Sequence, residues 1–175
     1  MDGADFDFVK NEALKKNIED SIKFLSTLWL FSEKNKEDRE EIYRTIIIYQ
    51  ASIVEALLLH YCERKKIPFT EIEYAFCNQV TGDFYDIKSD KYHNAKMFFG
   101  LKHEINKPIA TLADATVKLK NNLLGIRLFT RIEDLKEKRN TVHLFKTRDA
   151  ITKKDVEKAT ETLLWVVRKL SKKLK

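Results

Sequence analysis

The segment Lys138-Arg-Asn-Thr-Val-His143 places an arginine and a histidine four residues apart. The guanidinium of Arg139 can bind a phosphate through a planar fork of N–H donors and stabilise charge on it as it reacts. The imidazole of His143 can accept or donate a proton near pH 7. Together they suit cleavage of RNA, in which the 2′-hydroxyl attacks the adjacent phosphate without a metal ion. Arg139 and His143 are therefore candidate catalytic residues.

Arg139 also lies where the helical pattern predicts an apolar residue. At 100° per residue, four apolar positions fall within one arc of about 80°, and they are Leu128, Ile132, Leu135 and Val142. Arg139 falls inside this arc, about 20° from Leu128, whereas Asn140 and Lys136 point further outward. Since a buried unpaired guanidinium is costly, Arg139 must pair with a buried acid, emerge at a cleft or subunit interface, or follow the end of the helix.

Few acidic residues are suited to that pairing. Glu55 interrupts the apolar run "ASIVEALLL", so a Glu55–Arg139 contact would explain both anomalies, whereas Glu133 and Asp134 lie on the same predicted helix as the arginine. Two interpretations therefore stay open at this point. Arg139 belongs either to a catalytic site or to an interior Arg–Glu pair with a neighbouring histidine.

The segment "RNTVH", residues 139–143, resembles the late-helix motif of the HEPN superfamily (higher eukaryotes and prokaryotes nucleotide-binding domains). The stretch "YQASIVEALLLHYC" resembles the early core helix of that family, and the likeness covers roughly residues 11–173. The family motif usually has four to six residues between Arg and His. Here three residues separate Arg139 from His143. Four residues separate His143 from Lys138, the preceding basic residue.

The resemblance implies an all-α, HEPN-like helical bundle and, in many members, a metal-independent endoribonuclease. Members commonly form homodimers in which Arg and His of both chains line a shared cleft. Some are toxins paired with a nucleotidyltransferase-type antitoxin, others act in phage defence, and some are non-catalytic modules that bind a partner protein or a nucleotide. It implies that Arg139 stabilises the reacting phosphate, His143 is the acid and base, and Asn140 orients the histidine or the substrate. We expect Lys138 and Lys136 to contact RNA, and Glu55 and Asp134 to support the site.

Hydrophobic periodicity predicts a single domain, residues 1–175, of about five main helices. The predicted segments are residues 11–31, 36–65, from 109, 126–145 and from 152. The second helix is apolar on most sides, which predicts either the centre of a bundle or a second face against another chain. Residues 69–103 show no clean period, and we expect an irregular aromatic-rich insertion with one short helix or a hairpin. Its aromatic side chains either stack on bases or cover the end of the core.

Composition narrows the class of protein. The chain has 4 Gly and 2 Pro among 175 residues, which favours helices over a turn-rich β fold. Two cysteines, an acidic N-terminus and the absence of a long apolar run predict a cytoplasmic protein with no membrane contact. We expect no cofactor and no metal ion.

The basic residues are concentrated at the C-terminal end. The net charge of the chain is +6, and residues 151–175 contain eight Lys and Arg against three acids. This basic end either meets RNA or is a solvated helix face.

Overall fold

The computed structural model describes residues 6–86, 91–107, 109–140 and 150–174, and it describes side chains outside residues 72–81, 83–86 and 91–103. Contacts divide the chain into two compact units. One unit, here the helical unit, comprises residues 1–67 and 110–175, and the other, here the hairpin unit, comprises residues 68–109. Thr141, Val142 and His143 of the motif lie outside the described residues.

Two long helices begin the helical unit. Helix α1 spans Glu12–Lys34, and its N-cap residue Asn11 accepts a hydrogen bond from the amide of Leu14 at 3.0 Å. This contact satisfies an amide at the helix start that has no partner within the helix. Helix α2 spans Arg39–Arg64. Both helices lie close to their predicted bounds, because apolar periodicity and polar breaks define their ends.

Three further helices follow the hairpin unit. Helix α3 spans Leu112–Leu119 and begins at a capping box formed by Thr111 and Asp114. A π-helical turn, Lys120–Leu124, follows and ends at Gly125, which has φ of +71°. A residue with a side chain adopts this conformation only with strain, which explains glycine as the predicted stop. Helix α4 spans Gly125–Asn140 and α5 spans Lys153–Leu174.

Helix α2 is the centre of the helical unit. Helices α1, α3, α4 and α5 all pack on it. Half of its residues are buried, and they lie on most sides of the helix, as at Ile46, Ile47, Leu57 and Leu58. The burial agrees with the first interpretation of its apolar circumference, the central helix of a bundle.

The hairpin unit corrects the predicted irregular insertion. Strands β1, Thr70–Asp86, and β2, Lys91–Asn106, form a two-stranded antiparallel sheet. Their register runs from Thr70 opposite Asn106 to Asp86 opposite Lys91, with a shift between Ala75 and Asn78. Of the two alternatives for this segment the hairpin is the one found. The chain is mostly helical, which at a coarse level agrees with the predicted all-α class.

Helix α2 is also long and apolar enough to span a membrane by composition alone. An 18-residue window of it reaches a mean hydropathy of 1.5, although 61% of that window is buried inside the protein. Burial against other helices is what the core helix of a bundle shows, and the helix is therefore weak evidence for a membrane span. The cytoplasmic location stays a prediction.

The start of α5 is the capping box predicted from "TKKD". The Asp155 carboxylate accepts from the amide and hydroxyl of Thr152 at 2.8 and 2.6 Å, and Lys138 of α4 donates to it at 2.7 Å. Burial by itself raises the pKa of Asp155, but the hydrogen bonds from Lys138 and Thr152 outweigh it and lower the pKa to about 2. Asp155 therefore joins the cap of α5 to α4.

We expect Asp155→Ala to lower the free energy of unfolding by about 1–2 kcal/mol at pH 7, because a cap and an ion pair are lost together. The folded-state pKa lies below the ordinary value of 3.8, so this stabilisation is present above pH 4 and is lost as the pH falls towards 2. Urea titrations at pH 7, 4 and 2.5 measure the difference between the two proteins. Glu137→Ala, an exposed change on α4, is the control, and an Asp155→Ala effect that stays constant with pH contradicts the assignment.

Candidate functional site

Arg139 lies in the last turn of α4 and forms an ion pair with Glu55 in the middle of α2. The Nη1 atom of Arg139 lies 2.8 Å from Oε2 of Glu55. The two side chains are 34% and 25% exposed, so the pair is only partly shielded from solvent. Leu128, Ile132 and Leu135, the apolar residues of the same helical stripe, are buried. The stripe therefore leaves the core at Arg139, and the expected contact with Glu55 is present.

Glu55 has a second contact that the sequence did not indicate. Its Oε1 atom accepts a hydrogen bond from the backbone amide of Leu112, at 2.6 Å. Leu112 is the first residue of α3, so the carboxylate satisfies an amide that has no acceptor within its own helix. A negative charge at this helix end is also favoured by the helix dipole. One carboxylate thus connects α2 to the end of α4 and to the start of α3.

The capping box of α3 lies beside this carboxylate. The Asp114 carboxylate accepts from the amide and the hydroxyl of Thr111, at 2.8 and 2.7 Å. The amide of Leu112 is thereby left for Glu55. The sequence signal was the pattern "TLAD", residues 111–114, which has the same form as the "TKKD" of α5.

Three further members of the predicted site, Lys138, Lys136 and Asp134, are engaged in ion pairs. Lys138 Nζ contacts Asp155 at 2.7 Å, and Lys136 Nζ contacts Glu133 at 2.5 Å. Asp134 pairs with Lys158 of α5 at 2.9 Å and not with Arg139. Lys138 therefore helps to join α4 to α5, and an RNA contact by this residue has to compete with Asp155.

Asn140, the last residue of α4, is half-buried and adjacent to Arg139 in the chain. Its position is compatible with a role beside the arginine. His143, the other catalytic candidate, lies outside the residues that the structure describes. The expected position of His143 beside Arg139 therefore stays a prediction.

The basic C-terminal end is partly engaged within the protein. Lys169 donates to the carbonyl of Leu123 in the π-helical turn at 2.8 Å, and Lys153 lies 3.4 Å from Glu33 of α1. Arg168, Lys172 and Lys173 are exposed on α5. Cations at the end of a helix are favoured by its dipole, which accounts for part of this charge without an anionic partner.

Two other reactive residue types are buried in α2. His60 is 4% exposed, and neither ring nitrogen has a hydrogen-bond partner among the described residues. Burial raises the pKa of the Cys62 thiol to about 11, although Lys118 opposes the shift. A thiol with this pKa stays protonated at neutral pH and is a poor nucleophile. Within the described ranges, no three His, Cys, Asp or Glu side chains cluster as a metal site.

Comparison with known proteins gives no match. No protein-family model matches the sequence, and no curated protein or solved structure matches it significantly. The resemblance to HEPN proteins therefore rests on the residues themselves.

The Glu55–Arg139 contact predicts a measurable coupling. We expect Glu55→Gln and Arg139→Gln each to lower the free energy of unfolding by about 1–2 kcal/mol, with a coupling of about 1 kcal/mol in a double-mutant cycle. Chemical denaturation of the four proteins measures it.

The Arg131–Glu161 pair is the matched control. It joins the same atom types, Nη1 and Oε2, at the same 2.8 Å, but the Glu161 side chain is 61% exposed. Its coupling should stay below about 0.5 kcal/mol, because solvent screens an exposed pair. Equal coupling energies in the two cycles would contradict the expectation that the Glu55–Arg139 pair is better shielded from solvent than the Arg131–Glu161 pair.

Proposed function

We propose that this protein is a metal-independent endoribonuclease of HEPN type that acts as a homodimer. The single observation that carries the proposal is the state of Arg139, which is anchored by Glu55 at 2.8 Å yet 34% exposed at the end of α4. A guanidinium has five N–H donors. Among the described residues only its Nη1 contact with Glu55 is seen, so the fork retains capacity for a phosphate.

The proposed reaction is an internal transesterification of RNA. The 2′-oxygen attacks the adjacent phosphorus, the bond to the 5′-oxygen breaks, and a 2′,3′-cyclic phosphate and a 5′-hydroxyl result. His143 accepts the proton of the 2′-hydroxyl or donates one to the leaving oxygen. Arg139 stabilises the additional negative charge on the phosphate oxygens in the transition state. Asn140 orients the histidine or the substrate.

In this proposal Glu55 is a positioning residue. Its carboxylate fixes the plane of the guanidinium before RNA binds, which lowers the entropy lost when the fork engages a phosphate. The same carboxylate repels a phosphate that comes too close. Its charge is partly balanced by the α3 helix start through the Leu112 amide, 2.6 Å away. That contact favours a carboxylate turned towards α3.

The dimer is proposed because one Arg and one His per chain form a small site. Members of the family bring two such sites into one cleft, and RNA is the expected partner. A nucleotidyltransferase-type antitoxin and a role in phage defence belong to the same proposal. The mass of the chain is 20.6 kDa, so light scattering should give about twice that value for the purified protein.

The first test is RNA cleavage in the presence of EDTA. We expect the unaltered protein to cut structured RNA and leave cyclic-phosphate ends. Arg139→Lys should lower the rate by about 10²–10³-fold, because an ammonium lacks the planar fork. His143→Ala should lower it by about 10²–10⁴-fold, because proton transfer is lost. Mapping the products by gel electrophoresis and mass spectrometry gives rates and end groups.

Arg127→Lys is the matched control, since Arg127 lies on the same helix but contacts the ring of Trp165 at 5.2 Å. Its rate should stay within twofold of the unaltered protein. Circular dichroism must show that every variant is folded. Cleavage that survives Arg139→Lys and His143→Ala, or that EDTA abolishes, contradicts the proposed mechanism.

The second candidate is a non-catalytic HEPN-like module that binds a partner protein or a nucleotide. The observation that favours it is the exposure of apolar side chains on α1, where Leu30 is 65%, Phe31 51% and Phe24 41% exposed. Phe24 and Phe31 are seven residues apart and therefore lie on the same face of α1, and apolar residues exposed on one helix face are typical of interaction surfaces. A folded, RNA-inactive protein would favour this candidate over the ribonuclease.

A further inference from the structure

Charge divides helix α5 into two unlike halves. Residues 153–161 contain three basic and three acidic side chains, so this half has no net charge. Residues 162–174 contain four basic side chains and no acidic one. All four are exposed, and we call them the basic face of α5: Arg168, Lys169, Lys172 and Lys173.

The basic face lies on one side of the helix. At 100° per residue its four members fall within an arc of about 140°, opposite the buried stripe of Leu163, Val167 and Leu170. Residues 168–173 also span only about 8 Å of helix axis. This gives about one cation per 2 Å, close to the charge density of a nucleic-acid duplex, which has one phosphate per about 1.7 Å of axis.

The charge of the basic face is not neutralised by ion pairs within the described residues. Lys169 donates to the carbonyl oxygen of Leu123 at 2.8 Å, and a carbonyl carries no net charge. Residues 120–131, in the π-helical turn and α4 that pack on α5, include no acid. The helix dipole supplies about −0.5 of a charge and acts within the last turn, which contains Lys172 and Lys173. Most of the positive charge is therefore available to an external anion.

The residue types of the basic face favour a nucleic acid as the anion. A stable contact with a membrane or a partner protein uses apolar side chains together with charge. On α5 the apolar residues after Trp165 are buried, namely Val166, Val167, Leu170 and Leu174. A nucleic acid needs no apolar contact, because the release of counterions from its phosphates drives binding.

Trp165 is the aromatic residue nearest in sequence to the basic face, and we assign it no role in base stacking. The guanidinium groups of Arg127 and Arg131 lie over its ring, at 5.2 and 4.8 Å from the ring centre. Contacts at this surface are therefore expected to be with phosphates, which carry no sequence information.

We propose that the basic face of α5 binds the phosphate backbone of RNA without reading its sequence. The choice of RNA rests on the proposed ribonuclease function. Lys138 contacts Asp155 in the first turn of α5, so the end of α4 that carries Arg139 lies at the opposite end of α5. Asp155 and Arg168 are about 20 Å apart along the helix axis. The basic face thus holds a part of the RNA distant from the reacting phosphate, which lowers KM and leaves kcat unchanged.

The test measures binding of a fluorescent single-stranded RNA in which every 2′-hydroxyl is methylated. Such an RNA cannot undergo the proposed cleavage, so its binding does not depend on catalysis. We expect anisotropy titrations to give a slope of log binding constant against log salt of about −3 or steeper, from four contacts at about 0.7 each. Arg168→Gln combined with Lys172→Gln should make the slope shallower by about 1.4 and weaken binding about tenfold to fiftyfold at about 50 mM salt. Arg168→Lys keeps the charge and should keep the slope.

Lys154→Gln is the matched control. Lys154 is an exposed lysine in the first turns of α5, and it lies 18 residues, or five full turns, before Lys172, on the same side of the helix. Because it belongs to the half of α5 without net charge, its loss should leave the slope unchanged. All the substituted residues are exposed, and circular dichroism confirms that each variant is folded.

Two results overturn the proposal: a slope that the double substitution does not alter, or one that Lys154→Gln alters as much. Competition by poly-L-glutamate or phosphatidylserine vesicles, as strong as that by unlabelled RNA at equal charge, would also overturn it and assign the basic face to an acidic protein or a membrane. A protein that binds the methylated RNA but cuts no ordinary RNA retains this proposal and refutes the ribonuclease. A ribonuclease whose KM is unchanged by the double substitution refutes this proposal alone.

Discussion

The carboxylate of Glu55 is the contact on which the arrangement of the candidate site depends. One oxygen holds Arg139 at 2.8 Å and the other accepts from the amide of Leu112 at 2.6 Å. A partly buried carboxylate is stable only when its oxygens have donors, and a partly buried guanidinium only when its charge is balanced. Glu55 and Arg139 therefore stabilise each other, and the start of α3 at Leu112 supplies the donor for the second oxygen of Glu55. One side chain of α2 thus contacts both α3 and α4.

A second set of polar contacts fixes α4 against α5. Lys138 contacts the Asp155 carboxylate that caps α5, and Lys158 contacts Asp134 of α4. Arg131 adds a third contact, to Glu161. These pairs join the exposed edges of two helices whose buried faces pack by apolar contact. Of the basic residues in 151–175 whose number suggested an RNA-binding surface, Lys158 is engaged in these pairs. Charge that is engaged between helices is less available to a phosphate.

The sequence predicted those parts of the fold that local patterns determine. The bounds of α1 and α2, the stop at Gly125 and the capping box at Thr152 each follow from residues within one or two turns. The Glu55–Arg139 contact was expected for a different reason, because two charged residues in apolar stripes need each other. The Leu112 amide could not be predicted, since a backbone donor carries no residue-type signal. Its position depends on α3 starting three residues later than Ile109, where Thr111 provides the cap.

The hairpin was harder to predict because the pairing of its two strands includes a register shift. Between Ala75 and Asn78 strand β1 has one residue more than β2 has between Leu101 and Phe99. A register shift of this kind depends on the partner strand, so the sequence of one strand alone does not indicate it. The eight aromatic residues of 69–103 are compatible with a strand and with the end of a helical core, which left the alternatives for this segment open.

The role of Arg139 depends on the balance between two attractions. If Glu55 were far from α3, its carboxylate would bind the guanidinium as its sole strong partner and would repel an incoming phosphate fully. The Leu112 amide, at the start of α3, partly neutralises the negative charge of Glu55. This weakens both the attraction of Glu55 for Arg139 and its repulsion of a phosphate. In the proposed ribonuclease, a phosphate would bind the edge of the fork that contacts no described residue, and the ion pair would stay intact. The contacts that stabilise the bundle are for this reason compatible with catalysis. The RNA-cleavage rates of Arg139 variants, and not the burial of Arg139, decide between a structural and a catalytic role.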